Sequence, residues 1–120
     1  MPVRELDAVG EEALYQQLRR FWHPVLFADE LGTAPARVTL LDEAVVVVRM
    51  AAGVAAFRDL CVHRGTALSL GKVVDDELVC PYHGWTYDAG GVCTRIPARH
   101  GDNIPRRARL VRHQAREAPA

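Results

Sequence analysis

Two short loops constrain this chain more than anything else in it: Cys61-Val62-His63-Arg64-Gly65 and Cys80-Pro81-Tyr82-His83-Gly84. Each offers one thiol and one imidazole and ends in glycine, and together they spell C-x-H-x16-C-x-x-H. Thiolates select zinc, copper(I) or iron–sulfur centres, and imidazole suits zinc and iron. Two readings compete. One zinc ion takes all four side chains tetrahedrally, or a two-iron cluster takes both cysteines on one iron and both histidines on the other. Structural zinc sites usually repeat cysteine knuckles whose paired ligands share one tight turn. Here each loop mixes its ligand types, so like ligands must meet across the two loops.

The rest of the chain must therefore build a scaffold that holds two loops side by side. Its 120 residues are the length of one domain, and 49% of them are apolar, enough for a real core. Fifteen basic and fifteen acidic residues cancel, so no strongly basic surface recommends nucleic acid as a partner. Glu11 to Trp22 reads as a short amphipathic helix, with Leu14, Leu18, Phe21 and Trp22 on one stripe, Asp7 or Gly10 as its cap and Pro24 as its end. Beyond it the pattern is short and β-branched. Residues 25–29, 37–41, 44–50 and 54–59 read as strands, with a turn at Asp42-Glu43. A hairpin runs from Lys72 to Val79 and turns at Asp75-Asp76, and a final hairpin spans 85–96 around Gly90-Gly91. Many short strands with regular turns indicate an all-β sandwich or small barrel. The expected organisation is a helical segment over 1–24, a cluster domain over 25–105 and a basic tail over 106–120. The arginine-rich stretch from Arg95 reads as a solvated tail or a strand whose partner lies elsewhere, in preference to an anion-binding arm.

CVHRGTALSLG followed by CPYHGWTYDAGGVCTRIP closely resembles the Rieske domain of bacterial Rieske non-haem iron oxygenases, the ring-hydroxylating and demethylating family. The resemblance runs from about Phe21 to Pro105 and is specific at both loops. It implies a Rieske-type sandwich of short antiparallel sheets with a two-loop cluster-binding subdomain, preceded by one short helix. It implies a Rieske [2Fe–2S] cluster, with Cys61 and Cys80 on the buried iron and His63 and His83 on the outer, solvent-facing iron. Around these, Gly65 and Gly84 are expected to let the backbone approach and aim N–H groups at sulfide. Tyr82 and Trp85 are expected to supply bulk that keeps water away, and Arg64 to compensate cluster charge or hold a carboxylate.

The implied work is single-electron transfer. A reductase or ferredoxin is the expected donor, and the catalytic domain or subunit of a non-haem iron oxygenase the expected acceptor. A homo-oligomer fits the family. Respiratory-complex Rieske proteins differ by an extra cysteine in each loop and a membrane anchor; Thr66 and Tyr82 stand at those loop positions here. A potential near the bottom of the roughly −150 to +300 mV Rieske range is therefore expected. The family's second domain, with its two-histidine, one-carboxylate iron, has no counterpart in these 120 residues, and Val62 replaces the usual loop proline. Two further readings stay open: a stand-alone Rieske ferredoxin, and a metal-stabilised interaction module without redox work. No targeting or membrane segment is evident, because the longest apolar run is only Ala44–Val48. Three cysteines are too few for a disulfide scaffold, so the cytoplasm is the expected compartment.

Other candidates are weaker. His100-Gly101-Asp102 with His113 mimics a facial triad of mononuclear iron, but its surroundings are arginine-rich and short. Cys93 reads as a buried small hydrophobe, His23 as a helix-end residue, and Met50 and Phe57 as core.

Overall fold

A computed structural model describes residues 8–62, 65–99 and 104–118. The described residues include one α-helix, α1 (Ala8–Leu18), and eight strands: β1 (Ala36–Leu40), β2 (Glu43–Met50), β3 (Gly53–Arg58), β4 (Lys72–Val74), β5 (Glu77–Val79), β6 (Thr86–Tyr87), β7 (Cys93–Arg95) and β8 (Arg112–His113). These form two antiparallel four-stranded sheets, ordered β1-β2-β3-β8 and β4-β5-β6-β7. The expected sandwich of short antiparallel sheets with one helix before it is the fold observed. None of the described helices is long and apolar enough to cross a membrane.

The two hairpin turns run through left-handed backbone. Leu41 and Asp42 (φ 50° and 65°) join β1 to β2, and Asp75 and Asp76 (φ 50° and 64°) join β4 to β5. Two positive φ angles in a two-residue loop match the twist of the flanking strands. The first turn is one residue earlier than expected, because Leu40 pairs with Glu43 and draws Glu43 into β2. Asp76 also accepts a 2.6 Å hydrogen bond at Oδ1 from the Ala51 N–H, tying the β4–β5 turn to the β2–β3 turn of the other sheet.

The apolar run of β2 is explained by burial on both faces. Val46 and Val48 join Phe57, Leu78, Tyr87, Ile96, Cys61 and Cys80 in the main core, while Val45 and Val47 pack with Leu31 and Ala56 on the opposite face. A strand covered on both sides has no reason to alternate polar and apolar residues. The outer face is covered by Leu26 and Leu31 from the segment before β1 and by Ala115 from the segment after β8.

Expectations for the N-terminal segment change. The helix ends at Leu18 instead of Trp22, where the His23 ring nitrogen meets the Leu18 carbonyl at 2.8 Å. Phe21 and Trp22 are exposed, and Arg116 stacks 4.5 Å above the Trp22 ring, so the proposed stripe does not face the core. Gly10 lies inside the helix rather than capping it, and Asp7 falls outside the described residues. Residues 25–29 form no strand: the Glu30 carboxylate accepts from the Phe27 N–H at 2.8 Å and closes a 3-10 turn over Ala28–Glu30. Within the arginine-rich tail, Ala108 and Leu110 are buried and β8 pairs with β3.

Candidate metal centre

The two loops are built alike. In each, the cysteine N–H donates to the carbonyl five residues on, Cys61 to Thr66 and Cys80 to Trp85, both at 2.8 Å. In each, the fourth residue after the cysteine is a glycine with left-handed backbone, Gly65 at φ 69° and Gly84 at φ 70°. A side chain there would be strained, which is why the loops end in glycine. His83 itself has φ 65°, so the second loop turns through two successive left-handed residues. His63 and Arg64 lie outside the described residues.

The loops meet over the core. Cys61 and Cys80 are both buried and belong to the main core cluster. Burial pushes the Cys80 thiol up to about 11; the Tyr82 N–H acts against that rise and the Cys61 thiol adds to it. A Cys80 thiol held this way resists ionising unless a metal supplies the compensating charge and displaces its proton.

Each sulfur also has a donor near it. The Tyr87 hydroxyl lies 3.2 Å from the Cys61 Sγ, and the Tyr82 N–H points at the Cys80 Sγ across 3.5 Å. With the sulfurs as thiolates, both contacts stabilise negative charge. Paired buried thiolates with donors aimed at them fit the cysteine side of an iron–sulfur cluster. Among the described residues, no three His, Cys, Asp or Glu side chains converge on a single ion.

The other expected residues are placed as follows. His83 is exposed at the tip of the second loop, its ring 4.0 Å from that of Tyr82 at 64°. Tyr82 is 44% exposed, whereas Trp85 is half-buried against the main core. The Gly65 N–H donates to the Cys61 carbonyl at 2.8 Å, a turn hydrogen bond where one toward sulfide was expected. Cys93 is buried with its thiol directed at the Arg95 carbonyl, matching its reading as a small hydrophobe. His113 pairs with Glu43 at 2.5 Å, while His100 and Asp102 lie outside the described residues. Tyr87 was not singled out from the sequence. The available signal was a tyrosine on an expected strand, because a phenol that becomes buried needs a partner for its hydroxyl.

Comparison with known proteins agrees with this geometry. The family model for the Rieske [2Fe-2S] domain matches residues 21–111. The chain is 43% identical over 119 residues to methylxanthine N1-demethylase NdmA of Pseudomonas putida, covering 94% of this chain and 33% of that protein. It is 43% identical over 116 residues to methylxanthine N3-demethylase NdmB of the same species, covering 88% and 32%. The solved structure of Pseudomonas putida CBB5 NdmA superposes with a TM-score of 0.83 at 41% identity, over 90% of this chain and 34% of that one. The chain thus spans about a third of the length of these relatives. With its matched motif, paired buried thiols and two-sheet fold, this chain belongs to the Rieske [2Fe–2S] domain family, in the form carried by Rieske non-haem iron oxygenases, and its cofactor is a Rieske-type [2Fe–2S] cluster.

Proposed function

We propose that this chain passes single electrons through a [2Fe–2S] cluster held by Cys61, His63, Cys80 and His83. The observation that carries the reading is the pair of buried thiols beneath two loops of matching turn geometry. When bound, the cluster supplies a centre that takes up and gives out one electron. The chain's residues do the rest. Cys61 and Cys80 anchor the cofactor to the core, Tyr87 and the Tyr82 N–H set hydrogen-bond donors on the sulfurs, and the second loop carries His83 outward to solvent. Leu60, Val62 and Tyr82 are each close to half exposed around the loops. They offer an apolar rim from which a partner can exclude water on docking.

The donor in this reading is a reductase or ferredoxin. The acceptor is the mononuclear-iron catalytic part of an oxygenase. The cytoplasm is the matching compartment, because all three cysteines are unbridged thiols. The test is an EPR spectrum of the dithionite-reduced protein purified with its native metal, with iron and zinc quantified. A rhombic signal with average g below that of all-cysteine clusters, with two irons per chain, is the expected result. A zinc-loaded, EPR-silent protein that takes up no iron on anaerobic reconstitution would refute it.

A further inference from the structure

The two cluster loops are closed at their necks by different means. The second loop is closed by the ladder itself: Val79 at the end of β5 pairs with Thr86 at the start of β6, immediately outside Cys80 and Trp85. The first loop has no such ladder. β3 stops at Arg58, and the chain returns from the loop into a 3-10 turn over Leu68–Leu70 that pairs with no strand. What spans this neck is the side chain of Asp59.

That carboxylate is fully buried. Its Oδ1 accepts from the Ser69 N–H at 2.7 Å and its Oδ2 from the Ser69 hydroxyl at 2.5 Å. Arg37 on β1 brings its Nε to 3.6 Å of Oδ2 from the open side. The Asp59 N–H donates to the Ala44 carbonyl of β2 at 2.9 Å, so the clasp is fixed to the sheet. On the return side Leu68, fully buried beside Ser69, fixes the clasp to the core. Cys61 lies two residues beyond Asp59 inside the closed loop. A buried carboxylate is costly unless its oxygens are filled. Here two donors come from one residue across the neck, so the loop cannot open without stranding the charge.

We propose that Asp59 is a positioning residue for the metal centre: its carboxylate closes the neck of the Cys61 loop on Ser69 and sets how tightly that loop retains the cluster. This rests on Cys61 being a cluster ligand. It assigns Asp59 no contact with the cluster and no part in moving electrons.

The test compares the rate at which the iron-loaded chain loses its visible absorption in excess iron chelator with the thermal unfolding midpoint of the same protein. Asp59→Ala strands the Ser69 N–H and is expected to lose the cluster at least about tenfold faster than wild type, the scale of a lost hydrogen bond to a charged group. Asp59→Asn keeps an acceptor for that N–H and is expected to recover most of the difference. Val45→Ala, on the far face of β2, lowers the unfolding midpoint as a control and is expected to leave the loss rate unchanged. If Asp59→Ala does not fold, Ser69→Ala takes its place, with faster loss again expected. Loss at the wild-type rate in Asp59→Ala, or in Ser69→Ala where that takes its place, or equally fast loss in Val45→Ala, would overturn the proposal. A wild-type chain that holds no two-iron centre would overturn the ligand assignment and this inference together, an outcome the untreated protein's spectrum separates from the others.

Discussion

Replacing Tyr87 by phenylalanine removes one oxygen atom from the interior and nothing else. The ring is fully buried in the main core and keeps its volume, so the fold has little reason to respond beyond the lost hydrogen bond. The missing hydroxyl lies 3.2 Å from the Cys61 Sγ. Burial first, and then the Cys61 thiol, push the phenol well above its ordinary value, so it stays protonated and able to donate across the working pH range. A hydrogen bond to a charged acceptor contributes about 1.5–3 kcal/mol. Only the part that differs between oxidised and reduced states changes the potential. The reduced state carries one more negative charge, so the donor favours it. If half of the lower estimate is redox-dependent, the difference is about 0.7 kcal/mol, which at 1.36 kcal/mol and 59 mV per tenfold corresponds to roughly 30 mV. Tyr87→Phe is therefore expected to lower the potential by a few tens of millivolts with iron content unchanged, read by a redox titration followed by EPR or visible circular dichroism. A potential that stays the same or rises would refute the assignment of Tyr87 as a donor to a cluster ligand.

Two further perturbations test the scaffold. A Cβ at Gly71 would sit 2.0 Å from the Val79 carbonyl oxygen, one residue before Cys80, so Gly71→Ala must push β5 aside by about an ångström or more. Overpacking of that kind costs roughly 1–3 kcal/mol. That corresponds to a fall of about 4–12 °C in unfolding midpoint at ~4 °C per kcal/mol, with poorer cluster retention; an unchanged midpoint in a thermal melt would contradict the close approach. Glu43 provides a pH test. Burial tends to raise its carboxyl, but hydrogen bonds from His113, Arg19 and Arg58 outweigh that and hold it below its ordinary 4.5. Its contribution to stability is therefore complete above that value and is lost as pH falls through the lower folded one. Urea midpoints should drop more steeply below pH 4.5 for wild type than for Glu43→Gln, and parallel curves would show that the network adds nothing.

Much of this protein was legible in short stretches of its chain. The ligand types, their spacing and the terminal glycines lie within two five-residue loops. The β4–β5 hairpin is written in Asp75-Asp76, residues that accept left-handed backbone on their own. These features depend on neighbours in sequence, so the sequence carries them directly. The stripe through Phe21 and Trp22 misled because helical spacing says which residues share a face, but not whether anything packs against it. Residues 25–29 have strand-like composition, yet a strand needs a partner, and the Glu30 carboxylate supplied a turn instead.

The local chemistry can be read along the chain: two loops offering two thiols and two imidazoles, set among short β-strands. Which residues support those loops follows from the folded arrangement. It places Tyr87 against Cys61 across 26 positions, closes the first loop with Asp59 and Ser69, and pairs β8 in the arginine-rich tail with β3. The physical reason is that a buried hydroxyl, carboxylate or strand edge must find a partner, and long-range packing alone settles which partner is within reach.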